Sequence, residues 1–504
     1  MRFYPVAHPV LAPAEAKTFE QAFFKGDEQA EWTAMQAAGR AVGHEVVRDF
    51  LQRQAWPTDP RILVLIGKGH NGGDALLAAE TLLTEKSAAV ATLLFFAPEK
   101  DLRPLTARAY RQLTHRFGDR VRATTLDEIQ RQTFDVWLDG VFGFQFHAPL
   151  DERTAECFER LEKLSVGMRV AVDLPSGLSD ARALRADFTY ATGSVKTPVL
   201  APDFRGKVGR LRYLDLGFFR EKTTTSDGPP VLCRETLNTL RGWRDAHGDK
   251  RSYGHLFVIG GSRSFPGAVM MATRAALEAG AGLLTSFVPE SLLPAYAAQV
   301  PEAMWVGCPE TESGGISLEA LHLVRERAKR ANALVIGPGM ARDPETLAFI
   351  KEVLKAVDLP TVIDADALQP DIVTKGAKPR IVTPHAGEFK RLAGEKSAEE
   401  YARETGVVTV LKGTPTRITD GSTSYLSLAG SPVLARGGSG DMLSGITGTL
   451  LAQDPENALS AAATAVFWHG TAAEALARTC GETCVRATQL LDFLPAVIRD
   501  PRDS

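Results

Sequence analysis

The sequence repeats one pattern that strongly constrains the fold. A short, continuously apolar run is followed by a turn rich in glycine and aspartate, and then by a stretch with helical periodicity. In the first half such a run stands at 62–66, and mainly apolar runs with one charged residue each stand at 134–138 and 169–172. Continuous apolar runs are typical of strands buried on both faces of a parallel sheet, and their alternation with helices is typical of α/β folds. The pattern therefore predicts an α/β protein with mostly parallel sheets.

The remaining elements follow from the same periodicity. Residues 15–55 are predicted to be helical, residues 189–196 to form a strand followed by a loop, and residues 210–216 to form an edge strand. In the second half, a long helix is predicted over 268–279 and a hairpin over 417–428, around an Asp-Gly turn. Further strands are predicted at 256–259, 333–336, 361–363, 380–382 and 407–411.

A chain of 504 residues is longer than the chains that usually fold around a single hydrophobic core. A polar run ends in Gly228-Pro229-Pro230, which is the strongest linker signal in the chain. We therefore expect two domains, 1–220 and 232–504, joined by a linker at 221–231.

Composition excludes several classes of function. A formal net charge of −3 gives no electrostatic basis for binding nucleic acid or an anionic membrane. Five scattered cysteines do not suggest a disulfide framework. The first residues lack the charge and apolar run of a signal peptide, and no apolar segment is long enough to span a bilayer. We expect a cytoplasmic protein without nucleic-acid or membrane partners.

The first glycine-rich turn, 67–74, follows the strand at 62–66. Gly67, Gly69 and Gly72 fit the spacing of a dinucleotide-binding turn. That spacing is weak evidence alone, and no acidic ribose partner clearly follows the next strand. The turn also carries Asn71 and Asp74, which a turn that binds pyrophosphate through its backbone does not need.

Two later strands end in similar polar turns, at Asp139 and at Asp173 through Ser176. A single aspartate in such a place is more often a turn former or helix cap. Three strand ends on one sheet edge instead favour a ligand site. Oxygens from Asn71, Asp139 and Ser176 would suit a hard monovalent or divalent cation, and Asp173 would be free to move a proton.

In the second half, the loop 436–445 leads three glycines and a serine into Asp441, which opens a helix. Backbone N–H groups at such a helix start form an anion hole, and Asp441 is a candidate base. The alternative is a mobile glycine turn before an ordinary helix, and the loop alone does not decide between them.

Other strand ends of the second half also carry polar groups. Asp364 and Asp366 are two residues apart and would point the same way on an extended chain, as a metal or substrate pair or as turn caps. His385 precedes Glu388 by three residues, which also fits a capped helix start. The segment 412–416 offers a lysine and backbone donors to a phosphate.

The order of these motifs resembles that of a known enzyme family. The second half, with GGS, GPG, DADAL, TPHAGEF, LKGTPT and GGSGDML in sequence, resembles the ribokinase-like NAD(P)H-hydrate dehydratases. The first half, with KGHNGGD, LDGVFG and VDLPSG, resembles the NAD(P)H-hydrate epimerases. The resemblance implies a Rossmann-like αβα sandwich followed by a ribokinase-like α/β domain, in the arrangement of the bifunctional repair enzymes.

The resemblance also implies an activity. The epimerase half would interconvert the R and S hydrates of NADH and NADPH. The dehydratase half would use ADP or ATP with magnesium to remove water from the S hydrate, and a homo-oligomer is expected. Asp441 would be the base on the ring hydroxyl, and Asp173 would be the catalytic group of the epimerase.

The remaining roles are carried over position by position. Potassium ligands would be Asn71, Asp139 and Ser176. Substrate contacts would be His70, Asn71, Gly72, Gly73, Asp74, Gly143, Pro149 and Asp173 in the first half, and Ala268, Gly339, His385 and Asp441 in the second. Nucleotide contacts would be Lys412, Gly413, Thr414, Pro415, Thr416 and Gly440.

The first half departs from the family pattern at three places. His70 stands where an asparagine is usual, Ala75 where a glycine is usual, and Phe144-Gln145 where the family has a small Thr-Gly turn. These departures leave open a dehydratase with a non-catalytic first half. A ribokinase-type small-molecule kinase fused to a binding domain also stays open, because a kinase would use the same glycine loop and aspartate. The sequence leaves the preferred nucleotide undecided.

Overall fold

The computed structural model describes residues 2–220, 226, 228–376 and 379–499. The chain divides into two compact units, a first unit of His8–Gly228 and a second unit of Met1–Ala7 with Pro229–Ser504. Residues 221–225 and 227 of the predicted linker lie outside the described residues.

The grouping of the first residues differs from the predicted division, which placed 1–220 in one domain. Strand β1 (Ala7–His8) belongs to the sheet of the second unit. The amide of Phe3 donates to Asp454 (3.2 Å), and the amide of Cys233 donates to the carbonyl of Val6 (2.8 Å). These long-range bonds explain the difference, because no local pattern could predict them.

The first unit is an α/β layer structure around a seven-stranded parallel sheet. Its strands are β2 (Val10–Leu11), β3 (Arg61–Ile66), β4 (Val90–Phe95), β5 (Val121–Thr124), β6 (Thr133–Gly140), β7 (Ser165–Val172), β8 (Phe188–Thr192), β9 (Val195–Lys196) and β10 (Arg210–Leu214). Its helices are α1 (Pro13–Phe24), α2 (Glu28–Phe50), α3 (His70–Glu85), α4 (Pro104–Phe117), α5 (Leu126–Ile129), α6 (Glu152–Leu161) and α7 (Arg205–Val208).

The strand order of the first unit is β10-β8-β7-β6-β3-β4-β5, and β2 pairs separately with β9. The chain starts the sheet at β3, builds outward through β4 and β5, and then returns to β6 on the other side. This is the doubly wound order of Rossmann-like folds, whose ligands bind where the order reverses. The predicted convergence of the strand ends is confirmed, because β3, β6 and β7 are neighbours and run parallel.

The predicted single helical stretch 15–55 is two helices. The chain breaks at Lys25 and Gly26, which both have positive φ (52° and 79°). Asp27 then accepts from the amides of Gln29 and Ala30 and caps α2. The Gly-Asp pair was the available signal, since glycine commonly ends helices and aspartate commonly begins them.

The second unit contains an eleven-stranded mixed sheet. Its other strands are β11 (Val231–Leu232), β12 (His255–Ile259), β13 (Leu283–Pro289), β14 (Met304–Cys308), β15 (Ala333–Ile336), β16 (Thr361–Ile363), β17 (Arg380–Val382), β18 (Val408–Leu411), β19 (Thr416–Thr419) and β20 (Ser424–Ser427). Its helices are α8 (Pro266–Glu278), α9 (Leu293–Gln299), α10 (Leu321–Arg327), α11 (Pro344–Ala356), α12 (Ala386–Ala393), α13 (Ala398–Thr405), α14 (Ser439–Gln453), α15 (Ala458–Cys480) and α16 (Leu494–Ile498).

Seven of these strands, in the order β18-β17-β16-β15-β12-β13-β14, are parallel, and β18-β19-β20 form an antiparallel meander. The predicted hairpin at 417–428 is confirmed as β19 and β20. Helices α8, α14 and α15 cover one face, with Met442, Ile446 and Leu450 of α14 fully buried. The other face packs against α11 through Phe349 and Ile350.

Within the described residues, no helix is long and apolar enough to cross a membrane.

Candidate active sites

The first site lies where β3, β6 and β7 end, around the start of α3 at His70. The turn between β3 and α3 needs glycine because the backbone packs against itself. A Cβ at Gly67 would stand 1.9 Å from the carbonyl oxygen of Val141, and one at Gly72 would stand 2.2 Å from the carbonyl oxygen of Gly67. Any side chain there would push the β6 turn away from α3. The glycines thus bring the polar groups of both turns together.

Asn71, Asp139 and Ser176 meet around the backbone of Phe142. The Asn71 amide donates to the carbonyl oxygen of Phe142 (2.9 Å), and the amide of Phe142 donates to Ser176 Oγ (2.8 Å). Ser176 in turn donates to both carboxyl oxygens of Asp139, through its Oγ (2.5 Å) and its backbone N–H (2.8 Å). All three side chains are buried. The structure therefore brings the three predicted cation ligands into one hydrogen-bonded group.

Burial raises the pKa of Asp139 to about 6, although the hydrogen bonds from Ser176 and from the amide of Val141 act in the opposite direction. A buried carboxylate with this pKa is stabilised by a cation. Within the described residues, no group of three or more His, Cys, Asp or Glu side chains is placed to hold a metal ion. Any cation here would rely on amide, hydroxyl and carbonyl oxygens beside the single carboxylate.

Asp173 forms an ion pair that the sequence did not predict. Lys196 Nζ donates to Asp173 Oδ1 at 2.6 Å and to the carbonyl oxygen of Thr192 at 3.0 Å. The side chains of Lys196 and Asp173 are 2% and 7% exposed, so the pair is almost fully removed from water. Phe144 covers the ammonium group, with its ring centre 5.3 Å from Nζ. The bulky residue that departs from the family pattern therefore shields the cation of this site.

Asp74 lies close to the same pair. Burial, together with the nearby carboxylates of Asp173 and Glu20, raises the pKa of Asp74 well above its ordinary value, against the opposing effect of Lys196. The other predicted substrate contacts include Gly143, His70 and Pro149. Gly143 lies beside Asn71, since a Cβ there would stand 3.6 Å from the Asn71 Cβ. The side chains of His70 and Pro149 are exposed.

The second site lies at the start of α14. Gly438 caps the helix with φ 96°, and a Cβ there would stand 2.3 Å from the sulfur of Met271. The loop is also held by Arg436, which donates to the carbonyl oxygens of Glu482 (2.7 Å) and Thr483 (2.8 Å). Well-anchored glycine backbone at a helix N-terminus supports the anion-hole interpretation over that of a mobile turn.

Asp364, at the end of β16, connects this helix start to the loop after β18. It is 2% exposed, and its carboxylate accepts from Ser444 Oγ of α14 (2.6 Å) and from Lys412 Nζ (3.4 Å). A Cβ at Gly440 would stand 3.3 Å from Lys412 Nζ. The lysine cation therefore lies directly beside the glycine loop.

Asp441 occupies the first turn of α14, beside this lysine and carboxylate. Burial is the main cause that raises its pKa to about 6, and the negative charge of Asp364 adds to the rise while Lys412 opposes it. A carboxyl group with such a pKa is largely ionised at neutral pH and still accepts a proton more readily than an ordinary aspartate. That is the property required of a general base.

The expectation that Asp364 and Asp366 point the same way is wrong. The chain leaves β16 in a tight turn in which Ala365 has φ 50°. Asp366 therefore contacts other partners, accepting from the amide of Ala341 (3.0 Å) and from Arg342 Nε (3.3 Å). The two carboxylates therefore have different hydrogen-bond partners, although the charge of each raises the pKa of Asp441.

Two predicted substrate contacts lie together beside this site. Gly339 has φ 66°, and a Cβ there would stand 2.9 Å from the Ala268 Cβ and 2.5 Å from the carbonyl oxygen of Phe265. Pro266 begins α8 next to it. The turn after β15 thus packs directly on the first turn of α8, and a larger residue would separate the two.

His385 caps α12. Its Nδ1 accepts from the amides of Gly387 (3.0 Å) and Glu388 (3.3 Å), and Glu388 accepts from the His385 amide (2.9 Å). The capping interpretation is therefore correct. The ring is exposed, and Lys412 donates its backbone N–H to the neighbouring carbonyl of Pro384 (2.9 Å), so this turn borders the nucleotide-binding candidate loop.

The candidate nucleotide loop, 412–416, joins β18 to β19. Thr416 Oγ1 donates to the carbonyl oxygen of Gly413 (3.0 Å), which closes the loop on itself. Lys412 faces Asp364, while Gly413 and Thr414 are exposed. Ser444 and the Lys412–Asp364 pair are the contacts that sequence reasoning did not find, because they depend on neighbouring strands far apart in the chain.

Comparisons with known proteins give a family match for each unit. A family model described as YjeF-related protein N-terminus matches residues 33–197, and one described as NAD(P)H-hydrate dehydratase matches residues 256–496. The chain is 34% identical to the bifunctional NAD(P)H-hydrate repair enzyme of Moorella thermoacetica, over 92% of each chain. It is 33% identical to that of Gloeobacter violaceus, over 97% of this chain and 98% of the other.

Among solved structures, the chain is similar to an ADP/ATP-dependent NAD(P)H-hydrate dehydratase from Bacillus subtilis co-crystallised with ATP and Mg²⁺. The match has 29% identity and a TM-score of 0.47, and covers 54% of this chain and 98% of the other.

Proposed function

Because the chain belongs to the family of bifunctional NAD(P)H-hydrate repair enzymes, we propose that it returns hydrated NADH and NADPH to the reduced cofactors. The first unit exchanges the R and S hydrates. The second unit dehydrates the S hydrate at the expense of ADP or ATP. The enzyme is thus both an isomerase and a lyase.

The observation that best supports this assignment is the setting of Asp441. It lies at a glycine-rich helix start and is influenced by both the Lys412 cation and the Asp364 carboxylate. A phosphoryl transfer to a hydroxyl needs a base on the hydroxyl and positive charge near the transferred phosphate. Asp441 at the helix start provides the base, and Lys412 on the loop after β18 provides the positive charge beside it.

The dehydration follows from these groups. Asp441 takes the proton of the ring hydroxyl as its oxygen bonds to the terminal phosphorus of the nucleotide, and the phosphorus–oxygen bond to the rest of the nucleotide breaks. The ring carbon then loses phosphate, which departs with the electron pair of the carbon–oxygen bond. Loss of a proton from the adjacent carbon to that phosphate restores the double bond. Lys412 and the backbone amides around Gly440 stabilise the transferred charge.

Further contacts are proposed from the placement of the turns. The loop of Lys412, Gly413, Thr414, Pro415 and Thr416 binds the nucleotide. Ala268, Gly339 and the exposed ring of His385 line the hydrate pocket. Magnesium would be supplied with the nucleotide and would rely mainly on its phosphates, since Asp364 and Asp366 already pair with Lys412 and Arg342.

In the first unit, Asp173 with Lys196 is the proposed acid–base pair, and the turn 70–74 with residues 143–149 contacts the substrate. The oxygens of Asn71, Asp139 and Ser176 fit potassium. They carry one formal charge and mixed neutral donors, whereas Mg²⁺ demands a stricter octahedral set. The bound ion would offset the burial of Asp139 and hold the turns after β3, β6 and β7 at the substrate.

One assay tests both halves. The protein is incubated with a mixture of R and S NADH hydrates, magnesium, potassium and either ADP or ATP, and the return of reduced-nicotinamide absorbance is followed. We expect full recovery of absorbance, with the R fraction recovered faster than it epimerises without enzyme. No recovery with either nucleotide would contradict the dehydratase assignment. Recovery limited to the S fraction would contradict the epimerase assignment.

Two matched variants separate the halves. Asp441→Asn is expected to abolish recovery of both hydrates while epimer exchange, followed by chromatography, continues. Asp173→Asn is expected to abolish exchange while the S hydrate is still dehydrated. We further propose that the enzyme acts in the cytoplasm as a homo-oligomer. The five free thiols are consistent with that compartment.

A further inference from the structure

The segment before the first large helix packs against the first site. Strand β2 pairs in parallel with β9, with Val10 opposite Val195 and Leu11 opposite Lys196. Helix α1 begins two residues later, at Pro13. The chain before the seven-stranded sheet is therefore fixed to the strand that carries the buried cation of the site.

Helix α1 presents one carboxyl group on its inner face. Ala16 and Phe19 are buried, and Glu20, which lies one turn after Ala16, is half-buried. Phe19 stacks on Phe219 (ring centres 4.9 Å apart) and belongs to the apolar cluster that includes Phe144, the ring that covers Lys196. Glu20 lies on this packed face of α1, close enough to the Lys196–Asp173 pair to interact electrostatically with both residues.

We propose that Glu20 is a further catalytic residue of the epimerase site, an acid–base group that β2 and α1 carry to the substrate hydroxyl. This inference rests on the proposed epimerase function. The family model that matches this unit begins at residue 33, so α1 lies outside the matched segment. The role therefore does not follow from the motifs that identify the family.

The charges around Glu20 support this role. The titration of Glu20 is influenced by three groups: the Lys196 ammonium on β9, Asp173 at the end of β7 and Glu31 on α2. Glu20 in turn influences the titration of Asp74 on α3. Burial is the main cause that raises the pKa of Glu20 to about 7. Lys196 opposes the rise, and the carboxylates of Asp173 and Glu31 add to it. Three carboxyl groups share one ammonium group, so the site holds an exchangeable proton near neutral pH.

Epimer exchange requires such a proton. Water added to a double bond conjugated with the ring nitrogen leaves a hydroxyl on the carbon next to that nitrogen. Protonated Glu20 gives its proton to this hydroxyl, the carbon–oxygen bond breaks, and water and a ring iminium form. Water then adds to the opposite face of the same carbon and loses a proton to the Asp173 carboxylate. Return of that proton to Glu20 through solvent completes the cycle without net consumption.

The test is the pH dependence of epimer exchange in Glu20→Gln, which keeps the size of the side chain and removes its exchangeable proton. In the wild type, the rate above the uncatalysed background is expected to fall as pH rises through about 7, because the acid form of Glu20 is lost. At pH 6, Glu20→Gln is expected to exchange epimers roughly 100-fold more slowly and to lack this falling limb. Glu20→Asp is expected to regain part of the rate and the limb.

The matched control is Glu28→Gln, which changes an exposed carboxyl group on the neighbouring helix α2. It should leave the pH profile unchanged. A thermal transition of the first unit that matches the wild type shows that this unit is folded in each variant, and ADP-dependent dehydration of the S hydrate shows the same for the second unit. A wild type that exchanges epimers, together with a Glu20→Gln variant of equal rate and equal pH profile, would overturn the inference and leave the proposed function standing. A wild type that exchanges no epimers would overturn both.

Discussion

Replacement of Asp441 by asparagine should inactivate the dehydratase and also stabilise the second unit. The pKa of Asp441 is raised from its ordinary value of 3.8 to about 6, mainly by burial. The folded state therefore holds this proton more tightly than the unfolded chain does, and ionisation at higher pH costs folding free energy. At about 1.4 kcal/mol per pKa unit, the difference corresponds to about 3 kcal/mol. Asparagine has nearly the same shape and no charge to bury.

The sign of the effect defines its pH range. Below about pH 4 the carboxyl group is protonated in both states, so it contributes no penalty. Between about pH 4 and 6 the folded state binds more protons than the unfolded state, and the stability of the wild type falls as pH rises. Above about pH 6 the penalty is complete. Asp441→Asn should therefore exceed the wild type in stability at pH 8 and match it near pH 4.

Calorimetry can measure this in the intact chain. The transition of the second unit is identified as the one that ADP or ATP with magnesium shifts upward in the wild type. Asp441→Asn should raise that transition by roughly 6 °C at pH 8, given about 2 °C per kcal/mol in a unit of this size. Glu404→Gln, an exposed carboxylate on α13, serves as the control. The stability difference between Asp441→Asn and the wild type should be larger at pH 8 than at pH 4. An inactive variant with the same difference at both pH values would refute the reasoning.

Three further substitutions have defined outcomes. Gly339→Ala should destabilise the second unit by about 1–3 kcal/mol more than Gly394→Ala, because both glycines have φ 66° but only at Gly339 would the Cβ meet other atoms, at 2.5 Å. Denaturant unfolding of the pair measures this, and equal losses would contradict it. Lys196→Met should abolish epimer exchange and destabilise the first unit by about 3 kcal/mol, because it leaves Asp173 buried without its cation. Adding Asp173→Asn should restore stability but not exchange, and a double variant as unstable as the single one would refute the pairing. Ser444→Ala removes a 2.6 Å hydrogen bond to buried Asp364 and should cost about 1.5–3 kcal/mol. Ser422→Ala, which loses an exposed hydrogen bond to Asp420, should cost far less, and similar losses would contradict this account.

The sequence predicted the parts of the fold that depend on local periodicity. The strands at 333–336, 361–363 and 380–382 occur at those residues, and the doubly wound first unit follows the predicted alternation. Strands β13 and β14 were not predicted. Their residues include glycine, proline and serine, and the pairing of β13 with β12, rather than its own apolar pattern, defines it as a strand.

The site was predictable in its turns and not in its ion pairs. Glycine and aspartate at strand ends carry a local signal, because the close backbone approach at Gly67 or Gly339 admits no other residue. Lys196 carried no such signal. Its position depends on the two-residue strand β9, which pairs with β2 from the opposite end of the unit. Glu20 was hidden for the same reason, since an isolated glutamate on an amphipathic helix looks like any surface charge.

The two units use the same electrostatic arrangement in different folds. In each, a lysine pairs with an aspartate that follows a parallel strand: Lys196 with Asp173 after β7, and Lys412 with Asp364 after β16. In each, a second carboxyl group near a helix start, Asp74 or Asp441, has a raised pKa because burial outweighs the lysine.

The paired aspartate explains why the lysine does not cancel that rise. Its carboxylate neutralises the ammonium group, so the second carboxyl group is left with an uncompensated burial cost and keeps its proton to a higher pH. Removal of the paired aspartate should therefore lower the pKa of the second carboxyl group. The wild-type dehydratase should show an acidic limb near pH 6, at the pKa of Asp441, and Asp364→Asn should move that limb to lower pH. A limb that stays in place would show that burial alone sets the pKa of Asp441, and that the paired aspartate serves only to hold the lysine.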